Sequence, residues 1–216
     1  MSMTPRSKRQ SVTAPFLSLA VFGALFLTLL QPLLQGCGPA LVAGVAVGAS
    51  VVHDRRDATT VIDDQQIEIQ AMVERMNDHE LGAQGDISIT SFNRVVLLTG
   101  QVRSPELSER FAEKVSRLPK VKRVVNEIGV GPDASLKREG EDTLITSRVK
   151  LSLTGIDLPG FDPTRVKVVT EMGVVYLMGL VSQEEAEAAV ERARYVPGVN
   201  KVIKIFEYVE PDPAAP

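Results

Sequence analysis

The sequence predicts an α+β fold in which one small αββαβ unit is built twice in tandem, behind an N-terminal export segment. Each copy is expected to be a three-stranded mixed sheet packed against two helices. An uncharged apolar run, Ala14–Leu30, follows a basic start and ends shortly before Cys37, the single cysteine. Two stretches, VVLLTGQV at Val95–Val102 and VVYLMGLV at Val174–Val181, match each other, with Gly100 and Gly179 at the same place. Around each, segments of helical and strand period alternate in one order.

The 216 residues, 44% hydrophobic and 24% charged, have the balance of a folded chain of one or two domains. Arg6, Lys8 and Arg9, then the 17 residues of Ala14–Leu30, then Gln31 and Pro32 follow the order of an export signal. The run is short for a hydrocarbon layer of roughly 30 Å. One cysteine allows no intramolecular disulfide.

Leu34, Gln35, Gly36 and Cys37 resemble the bacterial lipobox, although Gln35 stands where Ala or Ser is more usual. The resemblance implies cleavage after residue 36, diacylation of Cys37 and, usually, a third acyl chain. The alternatives are a buried free thiol or a chance cysteine behind a plain secretory signal. At about 0.8 kcal/mol per buried methylene, two or three chains hold a protein on a membrane. Gly38 occupies the place where Asp would imply retention at the inner membrane, so the implied address is the outer membrane, periplasmic face. Loss of residues 1–36 removes Arg6, Lys8 and Arg9 and takes the formal charge from −3 to −6. An acidic chain argues against nucleic acid as a partner, and any attraction to anionic lipid must come from a local patch.

Residues 37–62 read as a tether. Pro39–Val52 is small and apolar but too short to span, and HDRRDATT has no period. Gly44 and Gly48 have the spacing of a transmembrane dimer face without the span around it. The first unit, 63–131, opens with a helix over Asp63–His79, with Ile67, Ile69, Met72, Val73 and Met76 as its apolar stripe and Asp63 and Asp64 at its N-terminus. Strands follow at Asp86–Thr90 and Val95–Thr99, with Asn93 in the turn. Ser104 and Pro105 start a second helix whose stripe is Leu107, Phe111, Val115 and Leu118, and Val121–Val130 returns as a strand. After a linker, 132–141, the second unit, 142–209, repeats the order: Asp142–Leu153, Val166–Thr170, Val174–Met178, Ser182–Tyr195 and Val199–Val209. Units of roughly 70 residues are marginal alone, so the two are expected to pack on one another. The tail 210–216, EPDPAAP, has a disordered composition.

The αββαβ order, the V-x-L-x-G-x-V strand and the P-x-V-x-x-V return resemble the BON domain. Two such units behind a lipobox are similar to the dual-BON outer-membrane lipoproteins of the DolP family. The likeness is strongest at DTLITSR (142–148), NEIG (126–129) and VYLMG (175–179) and covers nearly all of Cys37–Val209. It implies a non-enzymatic factor that supports outer-membrane integrity, concentrates at the division site and binds anionic, phosphatidylglycerol-like membrane through its second unit.

The residues themselves offer a surface for that. On a helix over Asp142–Thr154, Ile145, Val149 and Leu153 share one face, while Leu144, Arg148 and Leu151 share another. One apolar face satisfies a small core, so the second needs a partner. Leu144 and Leu151 beside Arg148 and Lys150 suit insertion among headgroups, at about 1 kcal/mol per cation near an anionic surface. The alternative is that the two leucines seal the contact between the units. A member of that family carries an aromatic at the position matching Leu144, so weaker or shifted binding is expected.

Glu184, Glu185, Glu187, Glu191, Arg192 and Arg194 read as a solvated helix face, and Lys120, Lys122 and Arg123 as a short basic cluster. Catalysis is not expected. Only His53 and His79 are present, and there is no HExxH, GxSxG or phosphate-cradling glycine loop. No cofactor or metal is implied. The competing class is a periplasmic adaptor whose leucine edge meets envelope proteins in outer-membrane assembly or remodelling.

Overall fold

The computed structural model describes residues 54–210. The expected signal peptide, the expected lipidation site at Cys37, the tether up to His53 and the tail from Pro211 lie outside the described residues. Helix α1 spans Ala58–Asn77 and α2 His79–Gln84; strands β1, Gly85–Phe92, and β2, Val95–Val102, form a hairpin. Helix α3, Pro105–Ser116, precedes β3, Arg123–Asn126, and β4, Gly129–Val130. The second unit is α4, Leu136–Leu153, a single 3-10 turn at Pro163–Arg165, β5, Val166–Glu171, β6, Val174–Val181, α5, Gln183–Arg194, and β7, Lys201–Tyr208.

Both sheets are mixed, as the sequence predicts. β2 is antiparallel to β1 and parallel to β3 and β4. β6 is antiparallel to β5 and parallel to β7. Several boundaries differ from expectation. α1 begins at Ala58 rather than Asp63, and α4 at Leu136 rather than Asp142. The strand expected over Val121–Val130 divides into two pieces around Glu127 and Ile128.

The central strands explain the apolar runs that mark the repeat. In β2, Val96, Leu98 and Val102 pack beneath α1 and α3 with Ile67, Ala71 and Phe111, while Val95 and Leu97 face the other way. In β6, Val175, Leu177 and Val181 pack beneath α4 and α5, while Tyr176 and Met178 face away. The outward sets meet: Phe92, Val95 and Leu97 of one unit pack on Tyr176, Met178 and Ile205 of the other. The order is helices, sheet, sheet, helices. Strands covered on both faces need apolar side chains at every position, which removes the alternation of a half-exposed strand.

The matching glycines have a packing reason. Gly100 has φ +110°, and a Cβ there would lie 1.9 Å from the Asp86 carbonyl oxygen. At Gly179 it would lie 2.6 Å from the Arg165 carbonyl oxygen. At each, the backbone of the preceding segment comes so close to the central strand that a side chain has no room.

Asp64, expected as a helix-start charge, and Asp142, the expected first residue of the later helix, share another task. Asp64 is buried, and its carboxylate accepts from the Ser91 hydroxyl at 2.6 Å and the Asn93 and Arg94 N–H groups at 2.8 and 2.6 Å. Asn93 and Arg94 both have positive φ, +52° and +66°, as a two-residue hairpin turn of mirror-image type requires. In the second unit Asp142 accepts from the Met172 and Gly173 N–H groups at 2.8 and 2.9 Å, again under a turn of positive φ. These bonds fix the rotation of α1 and α4 over their sheets. In α1 that rotation buries Ile67 and Ala71 and leaves Ile69, Met72, Val73 and Met76 exposed, so four of the five residues of the expected stripe lie outside the core.

Candidate lipid-facing site

Helix α4 carries the second apolar face. Its start is capped by the Ser135 side chain, which accepts from the Arg138 N–H at 3.3 Å. Asp142 sets its rotation, and Ile145, Val149 and Leu153 enter the core of the second unit. Leu144 and Leu151 are therefore turned outward, 56% and 72% exposed, with Arg148 exposed between them on the same side. Leu136 adds a further exposed leucine at the start of the helix. The leucines do not seal the contact between units; the sheet faces do.

Lys150 is not with them. It borders two clefts between the units. One, of about 490 Å³, is polar, with Asp86 and Ser88 of β1 opposite Thr146, Thr170 and Glu171. Burial, then the carboxylates of Asp142, Asp86 and Glu139, push Glu171 above its ordinary pKa despite Arg138. The other cleft is basic, lined by Arg56, Lys150 and Lys167.

The segment ahead of α1 was read as unpatterned tether, yet its end is docked. Arg55 donates to the Glu185 carboxylate at 2.6 and 3.1 Å and to the Leu180 carbonyl at 3.1 Å. Arg56 pairs with Asp54 and Asp64 at 2.7 and 2.8 Å and lies 3.9 Å from the centre of the Phe92 ring. The end of the tether thus acts as a strap on the second unit. Glu185 is buried rather than solvated, because it also closes a capping box with Ser182 at the start of α5. Burial pushes its pKa up, but the bonds from Arg55 and the Ser182 N–H, with the Arg165 charge, hold it below the ordinary value. Nothing in the local sequence separates Arg55 from any other exposed arginine, since its partner is 130 residues away.

The basic cluster at the entry to β3 is largely neutralised. Lys120 pairs with Asp63, and Lys122 lies 3.6 Å from Glu207 across the units. Hydrogen bonding from Lys120 leads the causes that hold Asp63 below the ordinary carboxylate value. Tyr176 is pushed up to about 12, first by burial and then by the nearby Glu127 and Glu171 carboxylates. Among the described residues, no cluster of His, Cys, Asp or Glu is arranged to hold a metal ion, and no helix is long and apolar enough to cross a membrane.

One exposed surface escaped the sequence reading. Ile62, Ile69, Met72, Val73 and Met76 form an uncovered apolar stripe along α1, with Ile69 and Met76 64% and 73% exposed. Its period was legible, but one stripe cannot say which side of a helix meets the sheet.

Comparison with known proteins bears on most of the chain. The BON domain family model matches residues 63–132 and 141–210. The outer membrane lipoprotein DolP of Haemophilus influenzae is 36% identical over 177 residues, covering 82% of this chain and 91% of that protein. The 21 kDa hemolysin of Actinobacillus pleuropneumoniae is 35% identical over 157 residues, 73% and 80% of the two chains. The osmotically-inducible protein Y of Escherichia coli is 34% identical over 129 residues, 58% and 63% of the two.

Proposed function

The chain belongs to the BON-domain family, as a dual-BON outer-membrane lipoprotein of the DolP family, and from that premise we propose that it grips anionic phospholipid through the outer face of its second unit. In this reading Cys37 carries the acyl chains, and the folded units act on the periplasmic surface without catalysis, supporting membrane integrity at the division site.

The observation behind it is the pair of uncovered leucines flanking Arg148 on α4, a helix whose core side is already filled. A leucine moved fully from water into acyl chains contributes roughly 1.5–3 kcal/mol, and a cation at an anionic surface about 1 kcal/mol. Those terms act locally, where the acidic net charge of the chain is screened within about 10 Å.

Flotation of the mature chain carrying Cys37→Ser, with phosphatidylglycerol and phosphatidylcholine vesicles, tests the face without its anchor. Leu144→Glu and Leu151→Glu should each weaken binding to the anionic vesicles by about tenfold or more, and Arg148→Glu by several-fold. Binding unchanged in all three variants would remove the assignment.

The α1 stripe favours a second reading, an adaptor for envelope proteins. Glu68 and Glu74 lie on the same helix, and negative charge opposes an anionic surface but not a protein partner. On that reading Met72→Lys with Met76→Glu abolishes function in cells while vesicle binding is retained.

A further inference from the structure

The second cleft between the units has a volume of about 410 Å³. Arg56, just ahead of α1, and Phe92 of the first unit form one side, and Lys150 with Pro163, Val166 and Lys167 of the second form the other. No carboxylate lines it. Arg56 is held in place and largely neutralised by Asp54 and Asp64, and its guanidinium covers the Phe92 ring. Lys150 and Lys167 are different: both are exposed, and neither has an ion-pair partner among the described residues. Two uncompensated ammonium groups thus share a cavity with apolar carbon at its sides, an arrangement that selects an anion attached to carbon.

The position adds a direction. Lys150 precedes Leu151 in the chain and lies about 100° around the helix from it. A molecule whose charge sat in the cleft would leave its carbon chains beside the leucine edge. Lys167 reaches the same cavity from β5, the edge strand of its sheet, where it is exposed between the buried Val166 and Val168.

We propose that this cleft binds the phosphate of one anionic phospholipid, with Lys150 and Lys167 as the cationic ligands and Pro163 against the glycerol carbons. The site is composite, because neither unit alone forms it. It rests on the reading that the leucine edge of α4 meets an anionic membrane, and it adds recognition of a single headgroup to that surface contact.

The test follows backbone amide signals of the mature Cys37→Ser chain by NMR while short-chain dihexanoyl phosphatidylglycerol is added below its micelle concentration. Parallel titrations use dihexanoyl phosphatidylcholine and inorganic phosphate, and vesicle flotation is run on the same samples. Saturable shifts at Arg56, Lys150 and Lys167 with the anionic lipid, much weaker with the zwitterionic one, are expected. Lys150→Gln and Lys167→Gln should each weaken that binding roughly fivefold, the loss of one cation, with no change in melting temperature, and Lys167→Arg should restore it. Inorganic phosphate binding as tightly as the lipid would overturn the lipid assignment and leave a free-phosphate site. Vesicle binding without cleft shifts would overturn the cleft and spare the leucine edge. Cleft shifts without vesicle binding would do the reverse.

Discussion

Glu171 ends β5 among like charges, with Asp142, Asp86 and Glu139 around it and burial adding to their effect. A carboxylate whose folded pKa is raised binds its proton more readily in the folded state than in the unfolded one. Its contribution is therefore complete below the ordinary value of 4.5 and declines as pH rises through the higher folded value. Glu171→Gln should melt at a higher temperature than the parent near neutral pH, and the two should converge below that ordinary value. Calorimetry across that range checks the sign, and a variant less stable at neutrality would contradict it. Asp142, beneath the turn that follows Glu171, shows the opposite use of a buried carboxylate, since two backbone N–H groups satisfy it. The same task at Asp64 shows that the repeat conserves a bond pattern, not only an apolar pattern.

Helices α1 and α4 occupy equivalent places and expose different chemistry. Each is rotated by its aspartate so that a narrow apolar set enters the core: Ile67 and Ala71 in one, Ile145, Val149 and Leu153 in the other. The remaining apolar residues are left in solvent as an Ile and Met stripe on α1 and a leucine edge on α4. Two neighbouring leucines on α4 separate the roles. Leu153→Ala should cost about 2–5 kcal/mol in urea unfolding because it opens a cavity, whereas Leu151→Ala should stay within about 0.5 kcal/mol. Equal costs at the two positions would mean that the outer face is packed against something after all.

For the folded part as a whole, the contact between sheets decides the behaviour. Six buried residues join the units there, and at roughly 1.5–3 kcal/mol per side chain their burial is on the order of 10 kcal/mol. That matches the entire stability of an ordinary domain. Arg55 on Glu185 and Asn93 on Glu207, at 2.8 Å, add polar links at the rim. The units should therefore unfold in one transition, with hydrogen exchange in β2 and β6 reporting the same free energy. Met178→Asp, which places a charge in the shared layer, should separate the two transitions. Two transitions in the parent chain would show that the units are independent.

The repeat, the αββαβ order, the mixed sheets and the core strands were legible because local period and glycine placement record them in contiguous residues. The leucine edge was legible for the same reason: Leu144, Arg148 and Leu151 follow helical spacing, and the core face beside them was complete without them. Lys150 was misplaced because adjacency in the chain is not adjacency on a helix. The inward face of α1, the capping of the hairpin turns by Asp64 and Asp142, and the grip of Arg55 on Glu185 were not legible. Each depends on a partner more than 25 residues distant. Only the stacking of one sheet on the other brings Lys150, Lys167 and Arg56 around one cleft, since long-range pairing is a property of the packed chain rather than of any segment within it.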